Sequence, residues 1–428
     1  MVADTTSTPA AHTGAAPSAL NIPLILVCSL AYFFDGLIHT IMGPLAPEIA
    51  TELQLSHAQM GPIFSANLIG QCIGLMTVPM LVGRLGHRWI TVVTLIGFGL
   101  FEVLVGFAES AQQLFMLRMV TGYFLGGCLP SCLAIVTALA PARRRGFAVT
   151  LLFTGYGLGS TVAGVVAGVF AAWGGWRAAS IVVGIVCMLS AVVAWRWLVE
   201  PPTRQGSAAN PVSTPLRDAL ALMSRPYAVG TLMLWLLFIA MLTVNYCLFS
   251  WLPTMLVEVG REASIAAMSV SIFSLGGIIA ALGVGLLIDK FGAMRILVSF
   301  LLIAAALLFV CGQVMATAST AVLLGLLGAG GFFFLGAYGG VNVVLTSYYP
   351  DWLRAIGIGW AKSVGRIGTI IAPILIGFGL SAGMAETTLM SLSALPTLLA
   401  VLALLVIAVV TCKTAADDAT VDGATASN

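Results

Sequence analysis

The sequence predicts an all-α polytopic membrane protein: twelve transmembrane helices in two six-helix bundles, with both termini cytoplasmic. Three observations predict it. The chain is 60% hydrophobic and only 8% charged, with mean hydropathy +1.07, whereas soluble domains carry about 25% charged residues. Apolar runs long enough to span, about 20 residues each, fall at 22–44, 58–82, 90–108, 113–139, 147–170, 178–198, 226–252, 264–288, 294–314, 320–347, 355–379 and 387–411. One long polar interruption, 200–225, contains PPTRQGSAANPVSTP and divides those runs six and six.

Taken in order, residues 1–20 are Ala/Thr/Ser/Pro-rich. They lack a basic start followed by an apolar core and cleavage site, so a disordered cytoplasmic tail is expected rather than a signal peptide. Residues 21–199 form the first bundle. Pro, Ser and Asn in 200–225 exclude a span and predict a flexible cytoplasmic linker. Residues 226–412 form the second bundle, and 413–428 a polar cytoplasmic tail. Of 18 Lys and Arg, thirteen fall on one side of the spans, Arg177 and Arg261 on the other, and Arg118, Lys362 and Arg366 within spans. The positive-inside rule then sets the orientation, in the inner membrane of a bacterium. The short outer loops hold Glu48, Glu52, Glu109, Glu258, Glu262 and Glu386.

Several function classes drop out. A net charge of +2 without a basic patch gives no footprint for nucleic acid. The eight cysteines show no CxxC or Cys/His ligand spacing, so neither a disulfide framework nor a metal or cofactor is expected. An intramembrane enzyme would need a paired nucleophile and base at common depth. His39 is the one clear intramembrane histidine, and no second acid pairs with Asp35. A receptor or scaffold would more typically append a soluble domain.

The two halves echo each other. Pro141-x-x-x-Arg145 recurs as Pro350-x-x-x-Arg354, an offset of 209 (350 − 141), which also relates Gly159 to Gly368 and Gly168 to Gly377. Gly70, Arg84 and Gly86 match Gly276, Lys290 and Gly292 at 206 (292 − 86). Parallel repeats of six helices with a site between them are a transporter architecture.

Charges inside spans locate that site. A charge at bilayer depth costs about 2.5–3.5 kcal/mol on insertion scales, so it must face water or a counter-ion. Lys362 and Arg366 are four apart and share one helix face. At 1.5 Å per residue, Asp35 and Arg366 each lie about 16 Å from the same edge of a core about 30 Å thick. Arg118 enters from the other side at about 8 Å depth, within reach of Asp35. Arg366 offers a planar two-pronged donor set for a carboxylate. Asp35 is the expected proton carrier, because burial and a nearby cation act on a carboxyl in opposite senses and a moving arginine switches it. The competing reading of Asp35 and Arg118 is a static interhelical pair that fixes register. His39 follows Asp35 by one turn and titrates in the right range, or is a plain hydrogen-bonded cavity histidine. Lys362 lines the inner path or snorkels. Glu102 reads as an interfacial or structural acid. Tyr32, Tyr123, Tyr246, Trp251, Phe334, Tyr338 and Trp360 are candidates for a cavity wall that stacks a flat ring. Asn67, Gln71 and Asn245 are substrate contacts or interhelical hydrogen bonds. Glycine strings at Gly155-x-Gly157-x-Gly159, Gly164-x-x-x-Gly168 and Gly365-x-x-Gly368 let backbones approach, and Pro44, Pro79, Pro130 and Pro373 are expected kinks.

The loop Gly285-Leu-Leu-Ile-Asp289-Lys290-Phe-Gly292 resembles the signature of the major facilitator superfamily, and Pro79-Met-Leu-Val-Gly83-Arg84-Leu-Gly86-His87-Arg88 is its first-half copy with Gly83 where Asp is usual. The resemblance implies a latch in which Arg84, Arg88, Asp289, Lys290 and Arg354 hold the inside closed, and a cavity lined by the tenth helix, where Tyr338 and Asn342 stand one turn apart. Within the superfamily, Asp35-Gly36-Leu-Ile38, Arg118-x-x-x-Gly122 through Pro130, Trp251-Leu-Pro253-Thr, and Tyr349-Pro350 through Gly368 look like the aromatic-acid/proton symporters. Ile38, Ser131 and Ala138 depart from that pattern. The implied function is proton-coupled uptake of a benzoate- or hydroxybenzoate-type acid by a monomer. Transport of another organic anion, antiport and uniport on the same fold stay open. Expected substrate contacts are Arg366, Tyr338, Asn342, Lys362, Tyr246, Tyr32, Gln71 and Trp360; expected proton-coupling groups are Asp35, Arg118 and His39.

Overall fold

The structure, a computed structural model of the chain, describes residues 20–201, 221–224 and 227–425, with backbone alone at 142, 351, 355 and 412–425. Apart from a few end residues, the expected N-terminal tail and linker lie outside the described residues. The helices are α1 (Ile22–Glu52), α2 (His57–Thr77), α3 (Val82–Val105), α4 (Ala111–Leu139), α5 (Arg145–Ala171), α6 (Gly175–Trp197), α7 (Ala228–Glu258), α8 (Ala263–Phe291), α9 (Ala293–Val314), α10 (Thr320–Tyr348), α11 (Asp351–Ser381), α12 (Glu386–Leu392) and α13 (Ala394–Thr425). The last continues helical into the stretch expected as a tail.

Among the described residues, eleven helical stretches are long and apolar enough to cross a membrane, and one of them, His57–Val105, has 49 residues. That stretch would measure about 74 Å if straight, more than twice a core of about 30 Å. It is broken by a 3-10 turn at Val78–Leu81 and by Gly86, whose φ of 80° leaves the helical region. Short polar side chains set several starts, as expected for N-caps. Asn21 accepts the Leu24 N–H at 3.2 Å, and Ser110 accepts that of Gln113 at 3.3 Å. Helix α1 runs past Pro44 and Pro47, two turns beyond the apolar run, and the Leu53 N–H on the Ile49 carbonyl at 3.0 Å closes its end.

The repeat seen in the sequence is realised contact by contact. In the first half α1 packs on α5 and α2 on α4; in the second, α7 packs on α11 and α8 on α10. A Cβ on Gly122 would collide with the Asn67 carbonyl, and one on Gly331 with the Phe273 carbonyl. These contacts are related by the two offsets (331 − 122 = 209; 273 − 67 = 206). Gly159 against the Phe33 carbonyl and Gly368 against the Ile239 carbonyl are related in the same way. Gly86 and Gly292 turn the chain with φ of 80° and 87°, a region only glycine enters without strain.

The halves meet along α1–α7, α2–α11 and α5–α8. Away from the chain termini this seam is shut. Gly43 lies against the Phe249 carbonyl, Gly61 against that of Pro373 and Gly164 against that of Ala267. His57 pairs with Glu258, and the Ala58 N–H donates to Ser381 Oγ at 2.9 Å. Trp251 is fully buried there, with its Nε1–H on the Pro373 carbonyl at 2.9 Å. Toward the end bearing the termini, no polar contact crosses the seam beyond Gln71 and Cys72 among the described residues. Met76 and Met80 are 72% and 78% exposed, and Leu282 and Leu286, their mates at offset 206, are 75% and 74% exposed. The space between the halves therefore opens toward the termini.

Because Gly122 and Gly331 sit on backbone, Gly122→Ala and Gly331→Ala should each lower the Tm of the purified protein, at an overpacking cost of about 1–3 kcal/mol. Gly168→Ala, where nothing lies within 4 Å of the new methyl, should leave Tm unchanged.

Candidate functional site

The small residues flanking Arg366 position it. Gly365 and Gly368 let α11 lie directly on Phe238 and Ile239 of α7, and the guanidinium projects across the seam. Its Nη1 donates to Gln71 Oε1 of α2 at 3.0 Å and lies 3.9 Å from Cys72 Sγ. Arg366 is half-buried, as a cation needing partial solvation at this depth must be. Its charge acts on Asp35, Tyr32, Tyr246 and Tyr338. Asp35 is 1% exposed and its Oδ1 has no hydrogen-bond partner. Tyrosines from α1, α5, α7 and α10 thus gather with one carboxyl and one guanidinium. Tyr32 packs on Tyr156 with ring centroids 5.2 Å apart, and His39 meets Tyr246 edge-on at 5.2 Å. Such a set can hold an anion on the guanidinium, face a flat ring with aromatic walls, and bind a proton on the carboxyl.

Arg118 does not reach Asp35. Its Nη1 pairs with Glu102 Oε2 at 3.0 Å, and both terminal nitrogens donate to the Ile38 carbonyl at 3.2–3.3 Å. Both side chains are fully buried, so Glu102 is an interior counter-ion rather than an interfacial acid. A buried guanidinium takes the nearest carboxylate that completes its donor set, and with Ile38 on the facing turn that carboxylate comes from α3.

The remaining expected residues fall in several places. Asn342 donates to the Gly339 carbonyl of its own helix at 3.1 Å. Lys362 is exposed. Trp360 is 41% exposed and stacks on Trp235 at 5.9 Å, with no ring contact to the tyrosine cluster among the described residues. Trp251 and Phe334 are fully buried, and Tyr123 packs on its neighbour Phe124, so none of these three joins the cluster's ring contacts. Of the expected latch, Arg84, Asp289 and Lys290 are exposed. Asp289 has no ion-pair partner among the described residues, and Lys290 lies 5.2 Å from the Phe291 ring. Arg354 lies half-buried in the first turn of α11.

Sequence reasoning missed two groups, Tyr156 and Glu200. Tyr156 sits inside the glycine string of α5, which was read for its small residues; the close α1–α5 packing that those glycines allow carries Tyr156 to Tyr32. Glu102, expected as an interfacial or structural acid, pairs with Arg118 inside the bundle, and only its partner was not foreseen. Glu200 supplies the acid absent at Gly83, its carboxylate accepting the N–H groups of His87 and Arg88 at 2.7 and 2.8 Å. A carboxylate there is favourable because the helix restarts after Gly86.

Truncating either partner of the buried pair, Glu102→Ala or Arg118→Ala, strands the other charge and should destabilise the protein by about 3–5 kcal/mol in denaturant unfolding. The joint Glu102→Leu, Arg118→Met variant should recover most of that loss.

Comparison with known proteins bears on this geometry. The family model described as Major Facilitator Superfamily matches residues 28–310. The gallate transporter of Pseudomonas putida is 29% identical over 405 residues, 88% of this chain and 89% of that protein. The 3-(3-hydroxy-phenyl)propionate transporter of Escherichia coli (strain K12) is 33% identical over 390 residues, 90% of this chain and 94% of that protein. A crystal structure of a D-xylose-proton symporter superposes with a TM-score of 0.72 at 15% identity, covering 91% of this chain and 97% of that one, which speaks to the fold alone.

Proposed function

We propose that this chain, which belongs to the Major Facilitator Superfamily, takes up an aromatic carboxylate of the benzoate or hydroxybenzoate type together with protons. The observation that carries the reading is Arg366: a half-buried guanidinium spanning the seam, with tyrosines around it, whose charge also acts on Asp35, a carboxyl with an unpartnered Oδ1. Relatives along nearly the whole chain are named as transporters of aromatic acids, and the cluster suits such molecules. The carboxylate engages Arg366 through two parallel N–H bonds. The ring lies against Tyr32, Tyr246 and Tyr338, and Gln71 gives up its bond to the guanidinium or shares it.

Asp35 carries the proton. With Arg366 engaged by substrate its field on Asp35 weakens, which favours proton uptake, and neutral Asp35 lets the loaded halves close. Residues 21–199 and 226–412 are the two bodies that rock about the site, each of six crossings, with the His57–Val105 stretch counted as two. The excess of Lys and Arg on the terminal side of the spans supports cytoplasmic termini in a bacterial inner membrane. The proposed working unit is a monomer.

Proteoliposome uptake of labelled 4-hydroxybenzoate tests this. An inward proton gradient should drive accumulation above equilibrium; uptake indifferent to the gradient contradicts symport. Arg366→Lys keeps the charge and loses the fork, and should weaken apparent affinity by about 1.5–3 kcal/mol, roughly ten- to a hundred-fold. Asp35→Asn should abolish the response to the gradient while substrate counterflow persists.

A further inference from the structure

Arg366 donates to Gln71 of α2, and its charge acts on Asp35 of α1. Four residues from each stand Asn67 on α2 (71 − 67 = 4) and His39 on α1 (39 − 35 = 4). Both steps lead toward the shut end of the seam, because α1 runs toward that end and α2 runs back from it. Four residues rise about 6 Å. At that level lies a small enclosed cavity with room for about one water-sized group. His39, Asn67 and Arg118 line it from the first bundle, and Tyr246 of α7 lines it from the second. The charge of Arg366 acts on His39 and Tyr246 too. Among the described residues, three buried polar atoms of this lining have no hydrogen-bond partner: Arg118 Nε, Asn67 Oδ1 and His39 Nδ1. Asn67 and Arg118 are 2% and 1% exposed. The Asn67 Nδ2 donates to the Arg118 carbonyl at 3.4 Å, so the group it leaves for the cavity is an acceptor. The guanidinium nitrogen can only donate, and the imidazole nitrogen can do either. Buried polar atoms are normally satisfied.

We propose that this cavity receives the ring hydroxyl of a para-hydroxylated aromatic carboxylate, and that Asn67, His39 and Arg118 Nε make the chain prefer such acids to unsubstituted ones. The hydroxyl site rests on Arg366 as the partner of the carboxylate and adds the far end of the same substrate. Across one benzene ring, a para-hydroxyl stands about one helical turn beyond the carboxyl carbon. A carboxylate on Arg366 therefore sends its para-hydroxyl to the level of Asn67 and His39, past Tyr246, which belongs to both the ring wall and the cavity. The hydroxyl oxygen accepts from Arg118 Nε and from His39 Nδ1 in the tautomer protonated there, and its proton goes to Asn67 Oδ1. One group satisfies all three, because a phenol is both donor and acceptor. A ligand group that reproduces the bonds of an ordered water replaces that water without loss of affinity. Benzoate presents only C–H there and reproduces none of them. A methoxy group brings no proton and exceeds the space, and an ortho-hydroxyl stays at the level of the carboxylate.

Equilibrium binding of labelled acids to the purified full chain in lipid tests the site. 4-Hydroxybenzoate should bind about tenfold or more tightly than benzoate, 2-hydroxybenzoate and 4-methoxybenzoate, as for a buried hydrogen bond to a charged group. Asn67→Leu, close in size but without the acceptor, should cost 4-hydroxybenzoate about tenfold more than it costs benzoate. Arg366→Lys should weaken both acids alike. The ligand series is read on the unsubstituted protein, so it decides even if Asn67→Leu fails to fold. Benzoate or 2-hydroxybenzoate binding as tightly as 4-hydroxybenzoate overturns the hydroxyl site and leaves the transport reading standing. A hydroxyl preference that survives intact in Asn67→Leu does the same. Binding of none of these acids, or binding indifferent to Arg366→Lys, instead defeats the reading of Arg366, and the hydroxyl site falls with it.

Discussion

A charge placed in lipid must be paired, solvated or neutralised, and this chain spends its few intramembrane charges in two different ways. Arg118 and Glu102 are paired at 3.0 Å in full burial, with Ile38 completing the guanidinium's bonds. Arg366 and Asp35 are not paired with each other. The first is half-buried and donates to the neutral Gln71 amide at 3.0 Å, and the second keeps an unpartnered oxygen. Incomplete satisfaction at this depth costs free energy. The arrangement makes sense where a mobile anion and a mobile proton complete it in turn.

The backbone supplies the frame that keeps those two groups opposite each other. Small residues bring α2 onto α4 and α8 onto α10 at symmetry-related points, so each half is closely packed within itself. The seam between the halves is made of the same kind of contact, glycine against carbonyl, at Gly43, Gly61 and Gly164. Such contacts are shallow in side-chain interlock, and they can part and re-form more readily than interdigitated side chains. Met76, Met80, Leu282 and Leu286 show the matching apolar faces at the open end, where α2 and α8 stand away from the opposite half.

Much of this was legible in the sequence, for identifiable physical reasons. The all-helical class and the order of the helices follow from hydropathy, which the bilayer enforces directly. A fixed rise per residue set Asp35 and Arg366 at one expected level, and in the structure the charge of Arg366 acts on Asp35. The two repeat offsets could be read because close backbone approach leaves glycine as the tolerated residue. Side-chain direction was not legible. Reach allowed Arg118 to meet Asp35, but the rotation of α3 decides its partner, and no spacing within α4 encodes that rotation. Tyr156 was hidden because its neighbours' smallness was the louder signal. Glu200 replaces an acid missing 117 positions earlier (200 − 83), a substitution in space that a linear motif cannot show. The stretch from His57 to Val105 reads as two apolar runs, yet its helices follow each other through a 3-10 turn rather than a polar loop.

The most direct measurement is a high-resolution structure of the protein in lipid with 4-hydroxybenzoate bound. The account predicts the ligand's carboxylate on the two terminal nitrogens of Arg366, its ring between the tyrosines of α1, α7 and α10, and Gln71 displaced from the guanidinium or sharing it. A ligand whose carboxylate rests away from Arg366, with the Arg366–Gln71 bond unchanged, would contradict it.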